Sequence, residues 1–120
     1  MDKFDVDRLT IDYLHRQYKK GRINTKPDYQ RSRVWNDEQR YALIDSITEE
    51  FPIGLVMLNI VPHVDDDGVK VDHYEVVDGQ HRVSTIFEYV DGAAWALSTK
   101  VEDFLPFKKL TDAGQSRFLE

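Results

Sequence analysis

The sequence predicts an α/β fold in which a small mixed sheet is flanked by helices. Three observations support this prediction. Several stretches place apolar residues three and four positions apart, which is the spacing of a helix that buries one face. Two extended apolar stretches flank an Asp-Gly pair, a strong hairpin signal. The second of these stretches then leads through a glycine into a helical pattern. With 120 residues, we expect a single domain over residues 1–120.

The first predicted helix runs from about Leu9 to Lys20. Asp7 is its expected N-cap, and Gly21 is typical of the residue that follows a helix. A short extended segment over 22–24 comes next. Pro27 then keeps the residue before it extended, because the proline ring disfavours helical geometry there.

The second helix is predicted over about 37–50. Asn36 and Gln39 have the spacing of a capping box, in which each side chain bonds the backbone of the other residue. The apolar stripe of Leu43, Ile44 and Ile47 faces the expected core. Proline and glycine then end the helix before a strand over about 55–61.

The predicted hairpin joins that strand to a second one over about 69–77. If Asp67 and Gly68 form a two-residue turn, His63 lies opposite Asp72 as a simple cross-strand pair. The run of three aspartates at 65–67 is interpreted as a hydrated turn. It does not match a calcium loop, because the glycine and the closing glutamate are not at the required positions.

A third helix is predicted over about 80–90, ended by Gly92, with a core stripe of Val83, Ile86, Phe87 and Val90. Residues 95–97 are expected to form a short strand. Thr111 is the expected cap of a last helix that is still running at Glu120. We therefore expect the domain to be truncated on its C-terminal side.

Composition excludes several classes of function. The chain has no cysteine, which rules out disulfide scaffolds, cysteine zinc sites and thiol catalysis. The first residues contain no apolar run typical of a signal peptide, and no apolar stretch is long enough for a membrane span. We therefore expect a cytoplasmic protein with no membrane partner.

The net charge of −6 hides an uneven distribution. Residues 16–33 contain seven basic residues and one acidic residue, whereas the rest of the chain has nine basic and 21 acidic residues, a balance of −12. A basic segment of this kind favours one local anionic partner such as DNA. A solvated helix end and loop would explain it equally well. The candidate DNA-binding residues are Lys19, Lys20, Arg22, Lys26 and Arg33.

The segment 75–82 carries the pattern most typical of a binding site. A predicted strand passes Asp78 and Gly79 and becomes a helix whose free N–H groups and dipole favour an anion. Arg82 would offer a forked donor to phosphate oxygens, and His81 would donate a hydrogen bond or transfer a proton. The structural alternative has Asp78 as a helix cap and Arg82 in a salt bridge.

Asp78-Gly79-Gln80-His81-Arg82 resembles the signature of the N-terminal domain of GmrSD-type modification-dependent restriction endonucleases. The resemblance extends over about residues 7–119. It includes a Pro-x-Tyr-Gln-Arg box at 27–31 with Trp35, and the segments 43–47, 51–53 and 84–86. That family is related to the ParB and sulfiredoxin-like fold, so the resemblance implies a ParB/sulfiredoxin-like sheet flanked by helices.

The resemblance also implies a nucleotide site. In related proteins the equivalent turn binds nucleotide phosphates, which implies phosphate contacts for Gly79, Gln80, His81 and Arg82. Gln30 and Arg31 would lie near the same site. Gln80 stands at the position of the sulfiredoxin cysteine, so thiol-based reduction is excluded.

The implied function is that of an NTP-binding, and in one version NTP-hydrolysing, regulatory domain of a restriction endonuclease that acts in phage defence. Mg²⁺ would be held mainly by the phosphates, and Asp78 or His81 would activate water if hydrolysis occurs. DNA and a separate or downstream nuclease domain are the expected partners, and a homo-oligomer is left open.

The sequence contains no nuclease motif of its own. It has no paired histidine and asparagine cluster typical of a His-Asn-His site and no Walker-type loop, and no protein metal site is predicted. Tyr29 and Trp35 are interpreted either as base-stacking residues or as core anchors. The alternative function is a non-catalytic DNA- or protein-binding module with the same fold.

Overall fold

The computed structural model describes residues 9–25, 35–49, 56–97 and 104–120. In chain order the elements are α1 (Ile11–Lys19), β1 (Ile23–Asn24), α2 (Asp37–Thr48), β2 (Met57–Val64), β3 (Lys70–Asp78), α3 (Gln80–Asp91), α4 (Ala94–Leu97), a 3₁₀ turn (Phe107–Lys109) and α5 (Asp112–Leu119). The predicted α/β class, with a small sheet and flanking helices, is confirmed. No helix in the described ranges is long and apolar enough to cross a membrane.

Polar side chains begin three of the helices. The predicted capping box of α2 is confirmed: Asn36 Oδ1 accepts from the Gln39 N–H at 2.9 Å, and Gln39 Oε1 accepts from the Asn36 N–H at 3.0 Å. Thr111 caps α5 as predicted, by accepting from the N–H of Gly114 at 3.0 Å.

The start of α1 differs from the prediction. Its N-cap is Thr10, whose hydroxyl accepts from the Tyr13 N–H at 3.0 Å. The predicted cap, Asp7, lies outside the described residues. Ser, Thr, Asp and Asn are all good N-caps, so the residue type alone does not choose between two candidates three positions apart. The helix therefore begins two residues later than expected.

Strand β3 is the centre of a three-stranded mixed sheet with the order β1-β3-β2. It runs parallel to β1, with Tyr74 opposite Ile23, and antiparallel to β2. The N–H of Tyr74 donates to the carbonyl of Arg22 at 2.8 Å, so the backbone of Tyr74 faces β1. The extended segment predicted over 22–24 is thus the β1 edge of the sheet.

The hairpin turn is longer than predicted. Asp65 pairs with Val69 through an N–H to carbonyl bond of 2.9 Å, which leaves a three-residue loop that ends at Gly68 with φ of 79°. The carboxylate of Asp65 accepts from the N–H groups of Asp67 and Val69 at 3.0 and 2.8 Å. These bonds stabilise the wider loop and explain the aspartates as turn residues.

The two-residue turn prediction is therefore wrong, and so is the pairing derived from it. His63 lies opposite Val71, and Asp72 lies opposite Pro62. The change of loop length by one residue moves every partner on β3 by one position, which is the usual relation between turn and register.

The core lies where α2 and α3 pack with the sheet. Its members are apolar residues from most of the elements: Ile23, Leu43, Ile44, Tyr74, Val76, Val83, Ile86, Phe87, Tyr89, Ala96 and Phe118. The predicted stripes of α2 and α3 belong to this core or pack against it. Burial raises the pKa of Tyr89 to about 12, and its hydroxyl donates to the carbonyl of Leu105 at 2.6 Å.

The short strand predicted over 95–97 is wrong, because Ala94–Leu97 forms a single helical turn, α4. Three apolar residues show no periodicity, so tertiary contacts decide their conformation. The indole N–H of Trp95 donates to Glu88 at 2.8 Å, and its carbonyl accepts from the Tyr41 hydroxyl at 3.0 Å. These bonds connect α4 to both α2 and α3.

Candidate functional site

The sharp turn between β3 and α3, hereafter the elbow (residues 78–82), is built around Gly79. Gly79 is the N-cap of α3 and has a φ of 95°, a left-handed conformation that glycine adopts without steric cost. Its carbonyl accepts the first helical bond, from the Val83 N–H at 3.0 Å. The predicted strand-turn-helix arrangement is thus confirmed.

The N-terminus of α3 receives no side-chain cap from its own N-cap residue. Gly79 has no side chain with which to cap it, and the first turn contains no acidic residue. By contrast, α1, α2 and α5 are capped by Thr10, Asn36 and Thr111. The first N–H groups of a helix and the positive end of its dipole favour negative charge. An anion at the elbow would therefore serve as the cap of α3.

The side chain of Arg82 folds over Gly79. A Cβ atom at position 79 would lie 3.3 Å from Nη2 and 3.5 Å from Nε of Arg82, and 3.2 Å from Cγ2 of Val56. The guanidinium therefore lies in close contact with the position that a Cβ atom at residue 79 would take. This arrangement brings a permanent positive charge against the same helix terminus.

His81 packs under Trp35. Their rings are stacked with centroids 5.5 Å apart and an interplanar angle of 13°, and the Nε2 atom of His81 is buried. Trp35 also packs against the hydrophobic core. These contacts agree with the interpretation of Trp35 as a core anchor. The pairing with His81 was missed, since nothing in the sequence connects two rings so far apart in the chain.

The other two polar residues of the elbow differ in exposure. Asp78 is exposed at the end of β3, next to a β-bulge between Met57 and Leu58. Gln80 turns its amide back to the strand, where Nε2 donates to the Val77 carbonyl at 3.3 Å. The N-cap of α3 is Gly79, so the alternative in which Asp78 caps this helix is wrong.

Three of the five predicted DNA-binding residues are described. Lys19 and Lys20 lie at the end of α1, and Arg22 immediately precedes β1. Lys20 is exposed and Arg22 is half-buried. Lys19 binds Asp91 at the end of α3, with Nζ to Oδ2 at 2.9 Å.

His15 shares this carboxylate, with Nε2 2.8 Å from Oδ1 of Asp91. Partial burial opposes ionisation of Asp91, but the hydrogen bonds from Lys19 and His15 outweigh it and hold the pKa of Asp91 below its usual value. Part of the basic charge of α1 is thereby neutralised within the fold, which sequence analysis did not anticipate.

Four predicted site residues lie outside the described residues. They are Gln30 and Arg31, predicted near the nucleotide, and Lys26 and Arg33, predicted to bind DNA. Tyr29 also lies outside. The elbow is therefore the part of the predicted nucleotide site whose side-chain geometry the structure describes.

The described ranges contain no group of three or more histidine, aspartate or glutamate side chains arranged to hold a metal ion. Of the three aspartates of the hairpin, Asp65 stabilises the turn, since its carboxylate accepts from the backbone N–H groups of Asp67 and Val69.

Comparisons with known proteins identify the family. Residues 12–119 match the family model of the GmrSD restriction endonuclease, N-terminal domain. Neither the curated proteins nor the solved structures contain a match to this chain. The family match covers nine tenths of the sequence and extends from the first turn of α1 to the end of α5. The chain therefore belongs to the family of N-terminal domains of GmrSD restriction endonucleases.

Proposed function

We propose that this domain is the nucleotide-binding regulatory module of a DNA restriction endonuclease, with the phosphates of a nucleoside triphosphate at the elbow. The observation that carries the proposal is the convergence on Gly79 of two features: the N-terminus of α3, which receives no side-chain cap from its own N-cap residue, and the guanidinium of Arg82. Backbone N–H groups and a forked arginine are the donors that phosphate oxygens bind best.

Each elbow residue has a distinct part in this proposal. Gly79 leaves room for Arg82, and the N–H groups of Gln80 and His81 point toward the phosphates as part of the first helical turn. The stack with Trp35 holds His81, and with it the first turn of α3, in place. Gln30 and Arg31 are proposed to complete the site, and Mg²⁺ would neutralise the triphosphate.

Hydrolysis of the nucleotide would need a base to activate water. Asp78 is the more accessible candidate, because its side chain is exposed beside the elbow while the Nε2 atom of His81 is buried. Asp78→Asn would then remove turnover and retain nucleotide binding, whereas His81 would contribute mainly by packing against Trp35.

The basic residues near the end of α1 support a contact with DNA in the same module. Lys20 is exposed and Arg22 is half-buried, and the two are close in sequence. We propose that Lys26 and Arg33 belong to the same DNA-binding surface. In an endonuclease of this family a nuclease domain is the proposed partner, and the nucleotide would regulate its action on DNA.

The test is thermal unfolding of the protein with ATP, GTP or CTP in the presence of Mg²⁺. A ligand at 100 times its dissociation constant adds about 2.7 kcal/mol to the free energy of unfolding, so at least one nucleotide should raise the melting temperature by several degrees. Arg82→Ala should abolish the shift because it removes the forked donor at the elbow.

Arg117→Ala provides the matched control, because it removes an exposed arginine from α5, far from the elbow in sequence. It should retain the full nucleotide-dependent shift. The melting temperatures of both variants without nucleotide report whether each still folds. The absence of a shift with all three nucleotides would reject the nucleotide proposal and favour the alternative, a DNA- or protein-binding module without nucleotide.

A further inference from the structure

The β2–β3 hairpin has two faces of different character. Tyr74 and Val76 on β3 point into the core, so the residues that alternate with them, His73 and Glu75, lie on the opposite face. His63 lies on this outward face too, because residues directly opposite each other share a face and His63 is opposite Val71, two residues before His73. The corrected register therefore brings both histidines to the same surface.

The two imidazoles are diagonal neighbours across the strands. The partner of His73 is Val61 and that of His63 is Val71, so the two histidines lie two rows apart in the ladder, in successive rows of the same face. Their ring centroids are 4.4 Å apart with an interplanar angle of 37°. The hairpin backbone holds both Cβ positions, which means that little entropy is lost when the two rings act together.

The ring nitrogens of this pair are accessible. His63 is exposed and His73 is half-buried. Across the ranges that the structure describes, the two rings contact each other, and no hydrogen bond or ion pair engages either of them. Glu75, two residues after His73 on the same face, accepts a hydrogen bond from the Asn59 amide at 3.4 Å.

We propose that His63 and His73 together bind a divalent first-row transition metal ion such as Zn²⁺, with water completing the coordination shell. Neutral imidazole is a preferred ligand of Zn²⁺, Ni²⁺ and Cu²⁺, and Zn–N bonds of about 2.1 Å in a tetrahedral shell separate two nitrogens by about 3.4 Å. The two ring centroids are 4.4 Å apart, so the proposed site requires side-chain rotations that bring one nitrogen of each ring to that separation. The bound ion would link β2 to β3.

This site is distinct from the nucleotide site of the elbow in its ligands and in its choice of metal. Mg²⁺ prefers oxygen ligands and an octahedral shell, so it should not bind an imidazole pair. Zn²⁺ and Mg²⁺ therefore report on two separate sites, and the failure of one proposal does not affect the other.

The test is a titration of the full chain with Zn²⁺ alone, followed by NMR of the imidazole nitrogens and by calorimetry. The signals of His63 and His73 should shift together and saturate at one ion per chain, while those of His15 and His81 stay unchanged. His63→Gln and His73→Gln should each weaken Zn²⁺ binding about 10-fold or more, since each removes a ligand. Mg²⁺ at the same concentration should produce no shift.

Glu75→Gln is the matched control, because it changes a charge on the same face without removing an imidazole. It should keep Zn²⁺ affinity within about 3-fold of the parent, an effect expected of a screened surface charge. Equal Zn²⁺ affinity in the parent and in the double histidine variant would overturn the proposal. The same conclusion would follow if saturating Zn²⁺ left the His63 and His73 signals of the parent unmoved, a readout that does not depend on the folding of any variant.

Discussion

Gly79 has neighbours on two sides that would be in tight contact with any Cβ atom at this position. The Cγ2 atom of Val56 lies 3.2 Å, and Nη2 of Arg82 lies 3.3 Å, from the position that a Cβ atom would take. The residue also has a φ of 95°. The absence of a side chain at Gly79 therefore permits both the left-handed backbone turn and the close packing of the Arg82 guanidinium.

We expect Gly79→Ala to lower the free energy of unfolding by about 2 kcal/mol, through backbone strain and the displacement of its two neighbours. Gly92→Ala is the matched control, because Gly92 also has a positive φ, 77°, but a Cβ atom added there would meet nothing within 4 Å. The control should cost about 1 kcal/mol, from strain alone. Urea denaturation measures both.

The two glycines also differ in their expected effect on the proposed ligand. Gly79→Ala should weaken nucleotide binding because it moves Arg82, whereas Gly92→Ala should leave it unchanged. Equal stability losses in the two variants would contradict the close packing of Arg82 and Val56 on Gly79.

Single residues were predictable where a local hydrogen bond decides the structure. Asn36 and Gln39 form the expected capping box, and Thr111 caps α5, because these bonds involve neighbours three positions apart. His81 was recognised as a site residue, but its stack on Trp35 depends on the packing of α3 against a distant part of the chain. No local pattern contains that information.

At the scale of elements, Asp91 provides the polar part of the contact between α1 and α3. This carboxylate follows the core stripe of α3 and binds both His15 and Lys19 of α1, at 2.8 and 2.9 Å. His15 also packs edge-on against Phe87, with ring centroids 5.7 Å apart. The polar contact thus lies at the border of an apolar one, where partial burial strengthens it.

The Asp91 contact predicts a pH dependence of stability. Because the pKa of Asp91 is lowered in the folded state, its contribution is complete above the usual carboxyl pKa of 3.8 and is lost as pH falls through the lower folded value. Asp91→Asn should therefore cost about 1 kcal/mol near pH 7, and the difference from the parent should shrink below pH 3.8. Denaturant titrations across this pH range measure it.

Asp12→Asn serves as the control for this prediction. Asp12 pairs with Arg16 at 3.0 Å within one helix, and both side chains are well exposed. The loss should be smaller at every pH, since solvent screens the pair. A parent and an Asp91→Asn variant that differ equally at acidic and neutral pH would contradict the ionic origin of the contact.

The hairpin shows why elements are harder to predict than residues. Asp-Gly correctly indicated a turn between two strands, but the side chain of Asp65 selects a three-residue loop. The register of β2 against β3 follows from that loop. Pro62 lies opposite Asp72 in a non-hydrogen-bonded pair, where the backbone of β2 points away from β3. The N–H that proline lacks would therefore form no hydrogen bond between these strands.

At the scale of the whole molecule, the charge distribution is the feature that bears on DNA. The chain has a net charge of −6. Seven of its basic residues nevertheless lie within residues 16–33, a segment that includes the end of α1 and has one acidic residue. Lys19 is neutralised by Asp91, which leaves Lys20 and Arg22 as the described members of this surface. Local rather than net charge governs phosphate binding.

We expect DNA binding to weaken by about 100-fold between 50 and 200 mM salt, the response to about four phosphate contacts. Lys20→Ala should reduce the slope of log affinity against log salt by about one. Lys109→Ala, an exposed lysine of the 3₁₀ turn, should leave the slope unchanged. Fluorescence anisotropy with a duplex measures these slopes, and an affinity that does not depend on salt would reject the DNA contact.

The sequence by itself determined the α/β class, most helix boundaries and the elbow as the candidate site. These features depend on apolar periodicity, on caps and on a glycine, all of which are local in the chain. Only the tertiary structure decided the hairpin register, the helical turn at Ala94–Leu97, the stack of His81 on Trp35 and the neutralisation of Lys19 by Asp91. Each of these depends on contacts between residues distant in sequence, or on a loop length that only the assembled sheet reveals. Such contacts involve single pairs of residues, so they produce no periodic pattern in the sequence.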